Sequence, residues 1–394
     1  MVDSTPKLLF LNHAATRNGA SILLLAFLRW LGQNTKFTLE VLTTSGGPLV
    51  DDFRAVAKMH LWQGPRILTQ ALPQRWSRWF RPRLEQMFLR AFLKGRKYDL
   101  IYANTAATAP ALMALHRRTQ AVLWHIHELR YALRATLSPQ VSALLLPKIT
   151  RYIAASESVA DTLREDYRVE GRKIDLVHEF VAVSHQSGQD RARNREIVLR
   201  DFGWPAEAFV VGGCGALGWR KGTDVFLRVA QLLRSTYGLD RARFLWVGGG
   251  DEGEMESLRF NHDLELLGLR DQCVRVQSTA EVGRYYSAMN VFALTSREDP
   301  FPLVMLEAGA HELPLVCFAN SGGGPEFARN GTGRVVPYLD LAAFASELAT
   351  LFGEPSLCQR LGAEAARRVR EHHTAESQCP KLLASMKRCL EVAR

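Results

Sequence analysis

An α/β protein of two doubly wound parallel sheets, Rossmann-like in each half, is what this sequence predicts, on three observations. The chain has 394 residues, more than one domain at about 150 residues each. Short apolar runs alternate with helical patterns from end to end, as expected of βαβ units. The alternation breaks once, in a polar stretch over residues 184–193, and a second series follows that does not copy the first. With 47% hydrophobic and 23% charged residues, the composition excludes collagen-like, coiled-coil and wholly disordered chains.

In chain order, strands are expected at 7–12, 38–43, 100–102, 121–125 and 151–154, with a helix over 20–31 whose Leu23, Leu24, Phe27, Leu28 and Leu31 form one wide apolar face. After the polar stretch, strands are expected at 209–213, 243–248, 274–277, 291–294 and 315–318. The domains are therefore drawn as 1–180, a linker with a leading helix over 181–205, a second domain over 206–373, and a terminal helix over 374–394 that packs back toward the first domain. The longest apolar stretch, 22–31, is broken by Arg29 and falls well short of the roughly 20 residues a membrane span needs. The N-terminus has no basic region followed by a sustained apolar run, so a cytoplasmic protein is expected. Cys214, Cys273, Cys317, Cys358, Cys379 and Cys389 form no Cys-x-x-Cys pair and read as free thiols.

The net charge of +10 is unevenly placed. Residues 1–180 hold 25 Lys and Arg against 14 Asp and Glu, while the remainder holds 25 against 26. Between Arg66 and Lys97 stand nine basic residues (Arg66, Arg75, Arg78, Arg81, Arg83, Arg90, Lys94, Arg96, Lys97) and one acid, Glu85, interleaved with Trp76, Trp79, Phe80, Phe88 and Phe92. Such a segment suits an anionic membrane surface at about 1 kcal/mol per cation, the alternative being a solvated helix face. No zinc finger, KH loop or ribonucleoprotein motif accompanies it, so nucleic acid is not expected as a partner.

Open α/β sheets bind ligands at the carboxyl ends of their strands, and four loops there are informative. The first runs from Asn12 through Gly19 to Ser21 and opens a helix, a place for a phosphate or sugar hydroxyl, or else a tight turn capped by Asn18 or Ser21. The second, Gly213-Cys-Gly-Ala-Leu-Gly218, satisfies G-x-G-x-x-G, yet continues as Trp219-Arg220-Lys221-Gly222-Thr223-Asp224 and lacks the acid expected after the next strand. There Arg220 and Lys221 can neutralise a diphosphate, with Thr223 and Asp224 capping the following helix. The third places Glu298, Asp299 and Glu307 around a helix that starts at Leu303, so that carboxylates meet hydroxyls and the helix end meets phosphates. The fourth, Ser321 to Glu326, is glycine-rich and lets backbone approach a ligand, or is a flexible turn. In the first half, Trp124-His125-Ile126-His127-Glu128 follows a strand. No third ligand stands at His-Glu-x-x-His spacing, so metal is not expected, and a structural histidine pair is the plain alternative. His13 is placed near the same edge, and His372 and His373 read as surface.

These motifs, in this order and spacing, resemble family-four glycosyltransferases of the GT-B fold, and in particular the subset with Trp-Arg-Lys-Gly-Thr-Asp and Arg-Glu-Asp-Pro-Phe-Pro-Leu-Val, commonly encoded with bacterial envelope and capsule polysaccharide genes. The resemblance implies two Rossmann-like domains facing across a cleft and a retaining transfer, without a required metal, from a nucleoside-diphosphate sugar to a glycan or lipid-linked acceptor. It implies that Arg220 and Lys221 hold the diphosphate, Glu307 the ribose, and Asp299 with the backbone of Phe301, Pro302 and Leu303 the donor sugar. His127 is then beside that sugar, with Glu128 next to it, and Gly19, Glu298, Gly323 and Glu326 complete the donor set. The chain departs from the family in carrying Asp299 where the first carboxylate is usually Glu, and Ala216 where an Arg often follows the loop glycine. The rival expectations are a sugar-nucleotide epimerase on the same scaffold, an NAD-dependent dehydrogenase resting on the glycine loop, and a sugar-nucleotide-binding protein without turnover. On the leading expectation the donor sits on the second domain and the acceptor on the basic first one, peripherally on the inner face of the membrane.

Overall fold

The computed structural model describes residues 5–62, 93–183 and 187–392 together with Met87, Leu89 and Ala91. The chain forms two compact units, Met1–Glu179 with Ala375–Arg394, and Phe180–Thr374.

The first unit holds a seven-stranded parallel sheet in the order β3-β2-β1-β4-β5-β6-β7. Its strands are β1 (Lys7–Asn12), β2 (Thr38–Thr43), β3 (Lys58–Leu61), β4 (Leu100–Asn104), β5 (Ala121–Ile126), β6 (Arg151–Ala154) and β7 (Ile174–Leu176). The second unit holds a six-stranded parallel sheet, β10-β9-β8-β11-β12-β13. Here the strands are β8 (Phe209–Cys214), β9 (Ala242–Val247), β10 (Cys273–Val276), β11 (Val291–Leu294), β12 (Leu315–Phe318) and β13 (Gly333–Val336). Central strands such as Leu100–Asn104 and Ala121–Ile126 are buried along their whole length because helices cover both faces, which is why they read as continuous apolar runs. Strand order reverses between β1 and β4 in one sheet and between β8 and β11 in the other, and at such switch points loops diverge to leave a crevice. Two doubly wound sheets are thus the observed architecture.

Every strand expected from the sequence is present, with ends moved by a residue or two. Three further strands, β3, β7 and β13, carry no signal in the sequence. All three are short edge strands with polar residues inside them (Lys-Met-His-Leu, Ile-Asp-Leu, Gly-Arg-Val-Val), so no apolar run announces them. The leading helix expected within 181–205 is Gly188–Asp201, and it begins inside the polar stretch over 184–193. Ser187 caps it, accepting from the Asp190 amide at 3.1 Å, and only Val198 and Leu199 are buried, so it has no apolar stripe to read. Arg195 anchors it, donating to the carbonyls of Ala288 and Ala208 at 2.5 and 2.6 Å. The helix Ala375–Val392 belongs to the first unit, where it buries Cys379, Leu382, Met386 and Cys389 and where Arg388 joins Asp175 at 3.0 Å. All six cysteines are free of disulfides. His372 is exposed, but His373 is buried between the rings of Phe301 and Phe327, which corrects its placement at the surface.

Glu40 of β2 is only 2% exposed and lies in the middle of the first unit's polar network. His60 Nε2 is 2.8 Å away, the Tyr98 hydroxyl donates at 2.9 Å, and Lys7 and Arg96 lie at 3.1 and 3.3 Å. Burial raises the carboxyl, but hydrogen bonds from His60, Lys7 and Tyr98 more than offset it, bringing it from 4.5 down to about 2. A depressed carboxyl stabilises the fold fully above its unfolded value and loses that contribution as the pH falls toward the folded one, here between 4.5 and about 2. We expect Glu40→Gln to cost the first unit about 3 kcal/mol, the scale for breaking a buried charge pair. In acid melts the variant should lack the extra loss between those pH values, and a variant melting like the wild type at all pH values would contradict this account.

Candidate active site

In the second unit the loops after β8 and β11 meet at the switch point. Gly222 allows it: its φ is +67°, and a Cβ there would lie 2.1 Å from the Thr295 carbonyl oxygen. The two loops are laced together, since the Arg297 amide donates to the Arg220 carbonyl at 2.9 Å and the Thr295 hydroxyl to the Lys221 carbonyl at 3.2 Å. This brings Lys221 Nζ to 2.5 Å from Asp299 Oδ2, with Arg220 Nη1 at 3.5 Å from Oδ1 and 3.1 Å from the Glu298 carbonyl. The Ser296 hydroxyl donates to Asp299 at 3.2 Å. Asp299 is 5% exposed; burial pushes its carboxyl up, but the charges of Lys221 and Arg220 outweigh that and hold it below its ordinary range.

The loop after β12 is stitched to the same place. The Asp299 amide donates to the Ser321 carbonyl at 2.7 Å and the Gly323 amide to the Asp299 carbonyl at 3.1 Å. A side chain at Gly323 would stand 2.4 Å from the Pro300 carbonyl oxygen, so only glycine permits the approach. Phe301 is buried in the unit's core, Pro302 is the N-cap, and the helix Leu303–Ala310 starts there with no side chain capping its free amides. Glu326 sits half-buried in the first turn of the short helix Gly324–Phe327. Glu307 accepts from the buried Tyr286 hydroxyl at 3.0 Å. Burial pushes its carboxyl up, and the Tyr286 bond only partly pulls it back. The Cys214 thiol, pushed up to about 11 by burial, bonds Tyr286 and feels both the Glu307 and Lys221 charges, so the two groups flank the end of β8.

One expectation here is corrected. Neither Thr223 nor Asp224 caps the helix Thr223–Tyr237, whose cap is Gly222 without a side-chain bond. The Thr223 hydroxyl instead accepts from the Gly218 amide at 3.3 Å, and Asp224 receives both arms of Arg297 at 2.8 and 2.7 Å. That cation also lies over the exposed Trp219 ring, 5.5 Å from its centroid.

The first unit's switch point gathers Asn12, the last residue of β1, with His13, Asn104, the last residue of β4, with Thr105, and His127 and Glu128 after β5. Asn18 caps the helix that Gly19 begins, accepting from the Ser21 amide at 2.9 Å, while the Ser21 hydroxyl donates to the Ala14 carbonyl at 2.8 Å. His127 lies between Glu179, 2.9 Å from Nδ1, and Asn104, 2.9 Å from Nε2. Its ring centroid is 3.8 Å from that of buried His125, whose Nδ1 pairs with the Tyr102 hydroxyl at 2.6 Å. Burial first, and then the His127 charge, push His125 well below its ordinary value and His13 below its own. Glu128 accepts from the amides of Ala106 and His127 at 3.0 Å; burial raises its carboxyl further than His127 and these donors lower it. Thr105 holds φ +74°, a strained position for a β-branched residue, fixed by its amide on the His125 carbonyl and by Trp124 Nε1 on its own carbonyl, both at 2.9 Å. Among the described residues no three His, Cys, Asp or Glu side chains gather as a metal site.

Residues 17–185 match the family model described as Glycosyltransferase Family 4, and residues 208–354 that described as Glycosyl transferases group 1. The chain belongs to the family-four glycosyltransferases. It is 30% identical over 226 residues to a D-inositol 3-phosphate glycosyltransferase of Streptomyces bingchenggensis, over 55% of the chain and 48% of the relative, so the match spans about half the length of that protein. A D-inositol 3-phosphate glycosyltransferase 1 of Catenulispora acidiphila is 25% identical over 371 residues, 88% of this chain and 84% of that one. The solved Anabaena protein HepE in complex with UDP-glucose superposes with a TM-score of 0.77 at 17% identity, over 97% of this chain and 99% of that one. With the two parallel sheets, that likeness makes the fold GT-B.

The structure brings Arg220, Lys221, Glu298, Asp299 and Gly323 together at one switch point and sets His127, Glu128 and His13 at the other. Asn104, Thr105, Glu179, Tyr286 and Ser296 were missed by the sequence analysis. Glu179 follows β7, a strand with no apolar signal, and Tyr286 lies in a helix between motifs. Of the basic segment, Arg66, Arg75, Arg78, Arg81, Arg83 and Arg90 with Trp76, Trp79, Phe80, Phe88 and Phe92 lie outside the described residues. No helix among the described residues is long and apolar enough to cross a membrane.

Proposed function

We propose that the protein transfers a sugar from a nucleoside-diphosphate sugar, with retention at the anomeric carbon, to a glycan or lipid-linked acceptor in cell-surface polysaccharide synthesis. The observation that carries this is the pair of cations, Lys221 and Arg220, fixed at the β8–β11 switch point beside Asp299. In the proposal the diphosphate lies on these cations and on the uncapped amides at Leu303, Glu307 takes the ribose hydroxyls, and Asp299 with the Phe301–Pro302 backbone meets the sugar. Gly323 lets the backbone close on the ligand, and Glu298, Glu326 and, in the first unit, Gly19, Glu128 and His127 complete the assignment taken from the family. As the glycosidic bond breaks, the leaving diphosphate gains charge against cations already in place, so little reorganisation is needed. No enzyme nucleophile is assigned, and the leaving phosphate takes the acceptor's proton on the same face. Side-chain cations do the neutralising, so the reading takes no metal. UDP is the nucleotide favoured, because the structurally similar HepE is described with UDP-glucose. Contact with an anionic membrane is part of the proposal and rests on the charge of the segment from Arg66 to Lys97 alone.

Calorimetric titration in EDTA is expected to show UDP binding that falls roughly 10- to 100-fold in Lys221→Ala, the scale of one charged hydrogen bond. Unchanged affinity in that variant, or binding of NAD alone, would contradict the reading. In vesicle sedimentation the protein should pellet with anionic but not neutral lipid, and equal binding to both would remove the electrostatic membrane contact.

A further inference from the structure

Both ring nitrogens of His127 face atoms that accept hydrogen bonds. Nε2 lies 2.9 Å from Asn104 Oδ1, and the orientation of that amide is set by its other end. Asn104 Nδ2 is 3.1 Å from the Ala20 carbonyl oxygen, which has no hydrogen to give, and 3.4 Å from Asn12 Oδ1. Asn12 is oriented in the same way, because its own Nδ2 donates to the Ala14 carbonyl at 2.8 Å, which leaves its Oδ1 to accept. Each amide is thus pinned by a carbonyl, and the only atom of Asn104 left for the ring is an acceptor. Nε2 therefore carries a hydrogen. Nδ1 lies 2.9 Å from Oε1 of Glu179, a nearly buried carboxylate, which also accepts. Nδ1 therefore carries a hydrogen as well, and a neutral imidazole has only one.

We infer that His127 is an imidazolium in the donor-free protein, held so by Asn104 and Glu179, and that it serves the transfer as a fixed cation and not as a base. His125, stacked 3.8 Å away, and His13, tied to the Thr105 hydroxyl at 3.3 Å, are both biased toward their neutral forms by burial, and the Glu128 carboxyl accepts from the His127 backbone amide at 3.0 Å. Asn104 and Glu179 touch no reacting atom in this scheme; they are positioning residues that act through the ring. An imidazolium has no lone pair with which to take the acceptor's proton. What it offers is a charge and an N–H for a polyanionic leaving group or a hydroxyl that displaces Asn104. The role in transfer rests on the proposed function, whereas the charge of the ring does not.

The test is nitrogen NMR of protein carrying ¹⁵N-histidine at pH 7 without ligand, with His127 assigned by its loss in His127→Gln. Both His127 nitrogens are expected to show the hydrogen-bearing signature, and in Glu179→Gln one is expected to become hydrogen-free. A hydrogen-free nitrogen on His127 in the wild type overturns the inference, and two hydrogen-bearing nitrogens in Glu179→Gln overturn the part given to Glu179. With UDP-sugar, Glu179→Gln should lower kcat by on the order of tenfold or more while donor affinity changes less, the pattern of a contact strengthened in the transition state. Should the NMR result hold while neither wild type nor variant binds UDP, the proposed function fails and the charge assignment stands.

Discussion

The ion pair between Lys221 and Asp299 is the constraint on which the second unit's site depends. A carboxylate only 5% exposed and left alone would cost several kcal/mol, so it must have its cation, and the cation must reach it from another strand's loop. That requirement explains why the loop after β8 has to press on the loop after β11 and why Gly222 stands at the crossing with a left-handed φ. It also explains the lacing of Arg297, Thr295, Ser321 and Gly323 around the pair. Two cations face the Asp299 carboxylate, so the site rests with its donors already oriented. An incoming diphosphate meets charge held in place by folding rather than gathered on binding.

The first unit reaches the same end with amides. Asn12, Asn104, His127 and Glu179 form one directed chain of hydrogen bonds across the ends of β1, β4 and β5 and the segment after β7. The strained Thr105 is part of what keeps it in register, because the conformation at φ +74° lets its backbone bond the His125 carbonyl on the neighbouring strand and its hydroxyl reach His13. In the same sheet, the charges around Glu40 secure β1, β2 and β3 to one another.

The central strands were legible because burial on both faces leaves an uninterrupted apolar run, and the cations at Arg220 and Lys221 were legible because they interrupt a glycine loop at a strand end. Edge strands β3, β7 and β13 lack that signal, and with β7 unseen nothing marked Glu179 as a residue near His127. Tyr286 and Asn104 do their work through hydrogen bonds to residues 21 and 23 positions away, a distance over which spacing carries no information. The bounds of the helix Gly188–Asp201 were hidden by its own polarity. Thr223 and Asp224 fit the pattern of a cap, yet partners supplied by tertiary structure, Gly218 and Arg297, took their side chains first.

The most direct measurement is a double-mutant cycle on UDP affinity with Lys221→Gln, Asp299→Asn and the double variant. If Asp299 holds Lys221 ready for the diphosphate, the two substitutions are coupled, with an interaction of about 1 kcal/mol or more. Additivity within roughly 0.3–0.5 kcal/mol would mean that the pair is only structural and that the nucleotide is held elsewhere.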